Sequence, residues 1–454
     1  MFLNLHNNPR VKLFAMMIKI KWLIKQDTYR NFAGFPKLLK CIILFVLLTP
    51  TLVFGTDVYE SISQPKSLDG FSPDKHYQLR TLASGLNYPW SIAELPNGDY
   101  LIALRSGTIH RLSRSGEISG AFSNTPNSYI KSQGGYFDII LDQDFANNQV
   151  VYISFAYGTP KKNATRVVRA KLNTALTGFE YSTPIFTVAP FKDTPVHYGG
   201  RITQLADGSI LMTTGDGFQY REASQDPYSQ LGKTVRFLTD GSIPSDNPYA
   251  DGLRADPYIY SLGHRNPQGI TISKSNQIFS NEHGAKGGDE INLILAGENY
   301  GWPKTTYGVN YSGATISPYK ELPNVRTPLL HWTPSIAPSG LAFYEHTAFP
   351  QLKNCLLSGG LVSKDIRCAK LKEDKIIIEY SLLSELDQRI RDVRVSSNGT
   401  LLLLTDSEDG AVIEVIPVTR FKEDSVPNGL DQTGVNQTLS ERVQMKDLSS
   451  EPPN

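Results

Sequence analysis

Long helical periodicity is missing from this chain, which excludes a mainly helical fold. A surplus of charge is missing too. With 45 basic residues against 44 acidic ones the net charge is +1, so no bulk field exists to draw in nucleic acid. Small molecules or proteins are the expected partners. Cysteine is scarce, three in 454 residues. Cys355 and Cys368 flank LLSGGLVSKDIR, which reads as two short strands around a turn. In an oxidising compartment these two thiols fit either a cross-strand disulfide or an unpaired buried state. With no partner Cys or His at ligand spacing, they do not read as a metal site.

The third cysteine, Cys41, opens the apolar run 41–54, which is short for a transmembrane helix. Lys37 and Lys40 precede that run and Gly55 ends it, the n-region and h-region pattern of a secretory signal. An uncleaved membrane anchor is the alternative. Residues 1–34 are long for an n-region, and Met16 or Met17 is a candidate start. Residues 1–55 are therefore set aside as extension and signal, 56–78 read as a linker, and export to the periplasm or the exterior is expected.

What the chain does have is short β-type runs. Hydrophobic residues make up 40% of it, enough for a sizeable core. YLIAL (100–104), VVYISFAY (150–157), SILMTT (209–214) and TLLLLTD (400–406) are separated by Asn-Gly, Asp-Gly and Pro signals. A repeat is visible in PNGDYL (96–101), ADGSIL (206–211) and SNGTLL (397–402), each a tight turn feeding an apolar strand. Less regular equivalents begin near Asp142, Ser273 and Phe349. Six units predict an all-β, six-bladed β-propeller over 79–421, with a pair of β-sandwiches as runner-up. Residues 422–454 lack aromatics and apolar clusters and read as a disordered polar tail. The unusual residues fall between repeats, in 192–201, 215–233, 261–268, 281–303 and 331–340. On a propeller such loops gather at one end of the channel, where sites form.

Four constellations carry chemistry. In TPVHYGGRITQL, His197 has the pKa range of a general base, and the glycines after it leave room for a ligand near the backbone. A hydrogen-bonded structural histidine fits equally. In SLGHRNPQGI, Arg265 and Asn266 offer many donors to a ligand rich in carbonyls and carboxylates, or to a neighbouring blade. In DQRIRDVRV, Arg389 and Arg391 share one strand face and need an anion or carboxylates, unless the strand is a solvated edge. In NEHGAKGGDEINLILAGENYGWP, Asp289 and Glu290 lie side by side on a glycine-rich loop that exposes carbonyls. A cation site and salt bridges both fit there, and EF-hand spacing is absent.

Taken in order, NYPWSIAELPNGDYLIALRSGTI, QGGYFDIILDQDF, HYGGRI, SLGHRNPQG, EHGAKGGDEINLI, NYGWP, TPSIAPSG and RIRDV resemble the soluble PQQ-dependent aldose sugar dehydrogenases. The likeness spans about Leu86 to Ile416, and the family is six-bladed. It implies oxidation of an aldose's anomeric hydroxyl to a lactone, with His197 as base, Arg265 on the quinone oxygen and hydride passing to PQQ. It places Gln133, Asn266, Tyr311, Ser335, Arg389 and Arg391 on PQQ. It places the carbonyls of Gly284 and Ala285 on an active-site Ca²⁺, and Glu290 with the Tyr300 carbonyl on a second, structural Ca²⁺. That second ion would supply the positive charge which Asp289 and Glu290 call for. The implied partners are an aldose substrate and an electron acceptor the sequence does not name, for a monomer or homodimer.

This sequence departs from the family at a few places. Val362 stands where a lysine is usual, with Lys364 on the same face two residues later; Ala285 replaces a proline; Tyr136 and Phe137 replace smaller aliphatics. Two other functions therefore remain open: a cofactor-free propeller acting as a binding module, and a calcium-dependent lactone hydrolase on a similar fold.

Overall fold

The computed structural model describes residues 59–60 and 65–418. The signal read in 1–55 and the tail read in 422–454 lie outside the described residues. The sheets form the six blades of a propeller. The first is Pro89–Glu94, Tyr100–Leu104 and Thr108–Leu112. The second is Tyr136–Leu141, Val150–Thr159, Lys162–Leu172 and Phe179–Thr187. The third is Gly199–Gln204, Ile210–Thr214, Lys233–Phe237 and Ile259–Leu262. The fourth is Pro267–Ile272, Ile278–Glu282, Asp289–Ile294 and Leu330–Trp332. The fifth is Pro338–Tyr344, Cys355–Gly360, Ile366–Lys372 and Lys375–Leu382.

The sixth blade closes the ring. Its inner strands, Ile390–Val395, Leu401–Thr405 and Gly410–Pro417, come from the end of the described chain, and its outer strand, Tyr77–Leu86, comes from the beginning. The stretch read as a linker also does more than connect. Tyr59–Glu60 pairs in parallel with Leu330–Trp332, and Lys66–Ser67 with Lys375–Leu382, so these two short pieces cover the outer edges of two blades.

The repeat seen in the sequence is a repeated hydrogen-bond pattern. At the turns 95–99, 205–209, 273–277 and 396–400, the first residue's N–H donates to the fifth residue's carbonyl, and the fourth residue's N–H donates back to the first carbonyl. The fourth residue has positive φ each time: Gly98, Gly208 and Gly399, with Asn276 as the one non-glycine. The units expected near Asp142 and Phe349 are the longer connections 142–149 and 345–354.

Packing rules out the sandwich alternative, which would have fewer seams. Six apolar clusters occupy the six seams between neighbouring blades; one of them packs Phe279, Ile291 and Trp332 of the fourth blade on Leu341, Leu356 and Ala369 of the fifth. Cys355 and Cys368 form a buried disulfide inside the fifth blade.

Candidate active site

At one end of the ring, every blade breaks its own ladder. The pairing of the two innermost strands slips at Pro89/Ser91, Tyr136/Asp138, Gly199/Ile202, Pro267/Gly269, Pro338/Leu341 and Ile390/Asp392. A bulge unpairs a residue and re-aims its side chain. The residues skipped include Trp90, Phe137, Gln268 and Arg391, and all four line a cavity of about 290 Å³. Its wall also holds Gln133, Asn266, His283 and Arg389.

His197 sits in the left-handed region, φ 51°, followed by Gly199 at 63° and Gly200 at 94°. The space beside Gly200 is not left for a ligand: a Cβ there would lie 2.5 Å from the Phe137 ring. Gly199 itself lines the cavity. The His197 N–H donates to Gln133 Oε1 at 2.8 Å, and its Nδ1 lies 2.7 Å from Asp216 Oδ1. Asp216 accepts two more bonds, from Trp302 Nε1 at 2.8 Å and from the Phe218 N–H at 2.7 Å. Burial, helped by the charges of Arg265 and Lys192, holds the His197 pKa below its ordinary value against the pull of Asp216. Burial pushes Asp216 upward, but the hydrogen bond from His197, the charge of Arg265 and the Phe218 N–H keep it below the usual carboxylate range. The pair is thus a neutral imidazole donating through Nδ1 to an ionised carboxylate, with its lone pair on Nε2.

Arg265 is buried and is steered by three partners. Its N–H donates to Glu282 Oε2 at 2.6 Å, one guanidinium nitrogen donates to the His283 carbonyl at 3.1 Å, and its guanidinium carbon is 5.4 Å from the Trp302 ring. Asn266 Oδ1 accepts from the Gly199 N–H and from Gln268 Nε2, both at 3.2 Å. His283 donates from Nε2 to the Pro338 carbonyl at 2.7 Å. Burial foremost, with the charge of Arg265, takes its pKa down to about 3, so this ring stays neutral.

Arg389 and Arg391 do share a partner, as two guanidinium groups on one face require. Asp406 gives one oxygen to each, Oδ2 to Arg389 at 2.8 Å and Oδ1 to Arg391 at 2.9 Å. Arg391 is also clamped by Ser339 Oγ at 3.2 Å and by the Trp90 ring at 3.9 Å. Arg105 is a third guanidinium on the cavity wall. The wall therefore carries three guanidinium groups and one carboxylate, Asp406.

The remaining residues lie around this core. Tyr311 is exposed and outside the cavity lining, its ring 6.5 Å from Phe218, which in turn meets His197 edge-on at 5.2 Å. Ser335 is away from the cavity wall, its hydroxyl donating to Asp289 Oδ2 at 2.6 Å. Val362 lines the cavity lip at 61% exposure. Lys364 does not take its place, because its ammonium is bound to Asp387 at 2.9 Å.

The adjacent acids Asp289 and Glu290 turn out to have separate solutions. Strand geometry sends them to opposite faces. Asp289 is satisfied by four donors: the N–H groups of Gly284 at 2.8 Å, Ile336 at 2.9 Å and Ala337 at 2.9 Å, plus Ser335. It needs no cation. Glu290 is different, since it faces Glu282 directly across the ladder. Burial first, then the charge of Glu282, pushes its pKa well up. Asn292 donates to both acids, at 3.2 and 3.1 Å, while its own Oδ1 is buried without a partner. Tyr300 stacks on His264, 4.7 Å between centroids, and His264 binds Glu282 at 2.9 Å. Among the described residues no group of three or more His, Cys, Asp or Glu is gathered for a metal.

The sequence profile described as Glucose / Sorbosone dehydrogenase matches residues 86–414. The chain belongs to that family. Aldose sugar dehydrogenase YliI of Escherichia coli is 36% identical over 344 residues, 75% of this chain and 92% of the relative. The soluble aldose sugar dehydrogenase of Escherichia coli, solved in the apo-form, superposes with a TM-score of 0.73 at 35% identity, covering 75% of this chain and 100% of that one. The PQQ-bound form of aldose sugar dehydrogenase from Streptomyces coelicolor superposes with a TM-score of 0.64 at 26% identity, covering 76% and 100%. Membership in the glucose/sorbosone dehydrogenase family makes this protein one of a group of sugar-oxidising dehydrogenases.

Several residues of the site escaped the sequence reading: Arg105, Asp216, Glu282, His283 and Asp406. Four of them share a signal, for Arg105, Asp216, Glu282 and Asp406 each close the apolar second strand of a blade. A charged residue at the end of such a run sits at the mouth.

Proposed function

We propose that the protein is an exported PQQ- and Ca²⁺-dependent aldose dehydrogenase that oxidises the anomeric hydroxyl to a lactone. The carrying observation is the neutral His197, held by Asp216, beside a cavity whose wall has more guanidinium groups than carboxylates. The PQQ-bound relative supports the cofactor, and the run 41–54 behind Lys37 and Lys40 supports export.

The residues present fit the cofactor's chemistry. A flat tricarboxylate needs guanidinium forks, and Arg389 and Arg391 present them with their planes fixed by Asp406 and Trp90. Asn266 and Gln133 bring side-chain amides to the same wall. The donor set also fits a hard cation: Glu290 faces a second carboxylate, and Asn292 Oδ1 is an unused oxygen beside them. Glu290 and the Tyr300 carbonyl would hold one Ca²⁺, and the carbonyls of Gly284 and Ala285 the ion next to the cofactor. PQQ, when bound, supplies the two-electron acceptor that receives the hydride.

The chain's own groups handle the proton and the charge. His197 Nε2 takes the proton of the anomeric hydroxyl, and Asp216 stabilises the imidazolium that forms. Asp216 keeps the proton on Nδ1 and the ring in one orientation, because Trp302 and Phe218 fix the carboxylate in turn. Arg265 keeps a guanidinium beside the reacting centre without a carboxylate partner among the described residues, available to oxygen that gains negative charge.

The test adds PQQ and Ca²⁺ to the purified protein with an aldose and an artificial electron acceptor. Acceptor reduction that depends on both, and that His197→Ala abolishes, is expected; full activity in His197→Ala would remove the assigned base. The apolar Val362 on the cavity lip favours one second reading, a propeller that binds without a cofactor. Absence of any quinone absorbance change on PQQ titration would support that reading instead. Lactone turnover with Ca²⁺ alone would mark a hydrolase.

A further inference from the structure

Arg105 differs from Arg389 and Arg391, the other guanidinium groups on the cavity wall. Arg201, Arg389, Arg391 and Arg394 each have an aspartate within ion-pair distance. Arg105 lines the same cavity, and among the described residues no carboxylate or carbonyl accepts its guanidinium N–H groups. Its one partner is an aromatic face, with the guanidinium carbon 3.8 Å from the centroid of Tyr88.

That placement is held from several sides. Tyr88 has φ 51°, its N–H donates to the Ser407 carbonyl at 2.8 Å, and its own carbonyl accepts the Arg105 N–H at 3.0 Å. The Tyr88 backbone is thereby fixed to both the sixth and the first blade. On the far side Gly135, φ 148°, packs against the arginine: a Cβ there would lie 2.0 Å from the Arg105 carbonyl and 2.7 Å from its Cγ. Stacking restricts a guanidinium's rotation while leaving its edge donors open, and a fork of that kind suits a carboxylate. The stretch NYPW thus carries two aromatic platforms one residue apart, Tyr88 under Arg105 and Trp90 under Arg391.

We infer that Arg105 is a further cofactor-binding residue, whose unpaired guanidinium takes a carboxylate of the PQQ that fills this cavity. The inference rests on the cofactor reading above. It differs from the roles of Arg389 and Arg391 in one physical respect. Those two are neutralised in part by Asp406 before anything binds, so Arg105 is the cavity-wall guanidinium whose charge is wholly unspent.

The experiment titrates PQQ into apo protein with Ca²⁺ present, following the quinone absorbance, for the wild type, Arg105→Ala and Arg105→Lys. Thermal unfolding of each is measured with and without PQQ. Loss of a charge-assisted pair weakens binding by about tenfold to a hundredfold in Arg105→Ala, with Arg105→Lys between the two because it keeps charge without the fork. The apo melting temperature should fall only slightly, through loss of the Tyr88 stack, since the guanidinium has no acidic partner to lose, while the PQQ-induced rise shrinks. Wild-type affinity in Arg105→Ala, or in Arg105→Lys should the alanine variant fail to fold, overturns this inference and leaves the cofactor reading standing. A wild type that does not bind PQQ overturns the cofactor reading and this inference with it.

Discussion

The two ends of the channel are built from the same six strands and solve their charge in opposite ways. Toward the turn end, Arg201 and Arg394 meet Asp138 and Asp392. Arg201 lies 3.6 Å from Asp138 and 3.2 Å from Asp392, and Arg394 lies 2.8 Å from Asp138 and 2.9 Å from Asp392. Two cations face two anions, drawn from the second, third and sixth blades, and Arg394 also lines a hollow of about 460 Å³ with Thr203 and Thr271. At the loop end the cavity wall carries three guanidinium groups and one carboxylate, Asp406, which pairs with only two of them. A buried pair that balances is architecture; a buried excess of one sign is a vacancy for a partner of the other sign.

That contrast can be broken from either side. The largest effect is expected at the mouth's base: Asp216→Asn should lower turnover by roughly 10³-fold, with the fold intact, because the imidazole loses its tautomer and orientation. The pH profile sharpens the same point. His197 must be neutral to act, and its pKa is held low, so the rate is full above that pKa and falls as pH drops through it. The acid limb should therefore lie below about 6.5, the ordinary imidazole value.

At the balanced end, Asp138→Asn leaves Arg201 and Arg394 short of an anion deep in the channel. Chemical denaturation should show a loss of about 3 kcal/mol, with PQQ affinity unchanged. Asp406→Asn performs the same operation at the mouth, where Arg389 is half-exposed and screened. The expected loss is smaller, about 1–2 kcal/mol, and PQQ should recover part of it by supplying carboxylates; no recovery would contradict an anion-binding mouth. The smallest effects belong to the turns. Gly208→Ala meets nothing within 4 Å at φ 85° and should cost only about 1 kcal/mol. Gly399→Ala should cost more, since its Cβ would sit 2.0 Å from the His346 ring.

The turns are also where the sequence was most legible. Asn-Gly and Asp-Gly at 97–98, 207–208 and 398–399 name a local conformation, and the same hydrogen bonds appear at each. Asn276 was legible only as a weaker equivalent, because a residue other than glycine fills the left-handed position. The cavity wall was legible in part: Gln133, Asn266, Arg389 and Arg391 were singled out and line it, while Arg105, His283 and Asp406 were not noticed. Glycines beside His197 promised ligand space, and one of the two accommodates the Phe137 ring instead. Asp289 and Glu290 looked like one acidic feature and proved to be two, since alternate strand positions face different surroundings. Asp216 and Asp406, which decide the protonation and charge of the mouth, drew no notice because each looks like the end of a strand.

The sequence by itself determined the six strand-turn units and their order. Those depend on interactions within a few residues along the chain, where turn chemistry and alternation act. Only the tertiary structure decided which charges are cancelled and which are left over. Arg394 finds Asp138 at 256 positions' separation, and Arg201 reaches the Arg391 carbonyl at 190. Such pairings arise from closing the ring, and electrostatic balance in a dry channel depends on distance in space, on which chain order places no constraint.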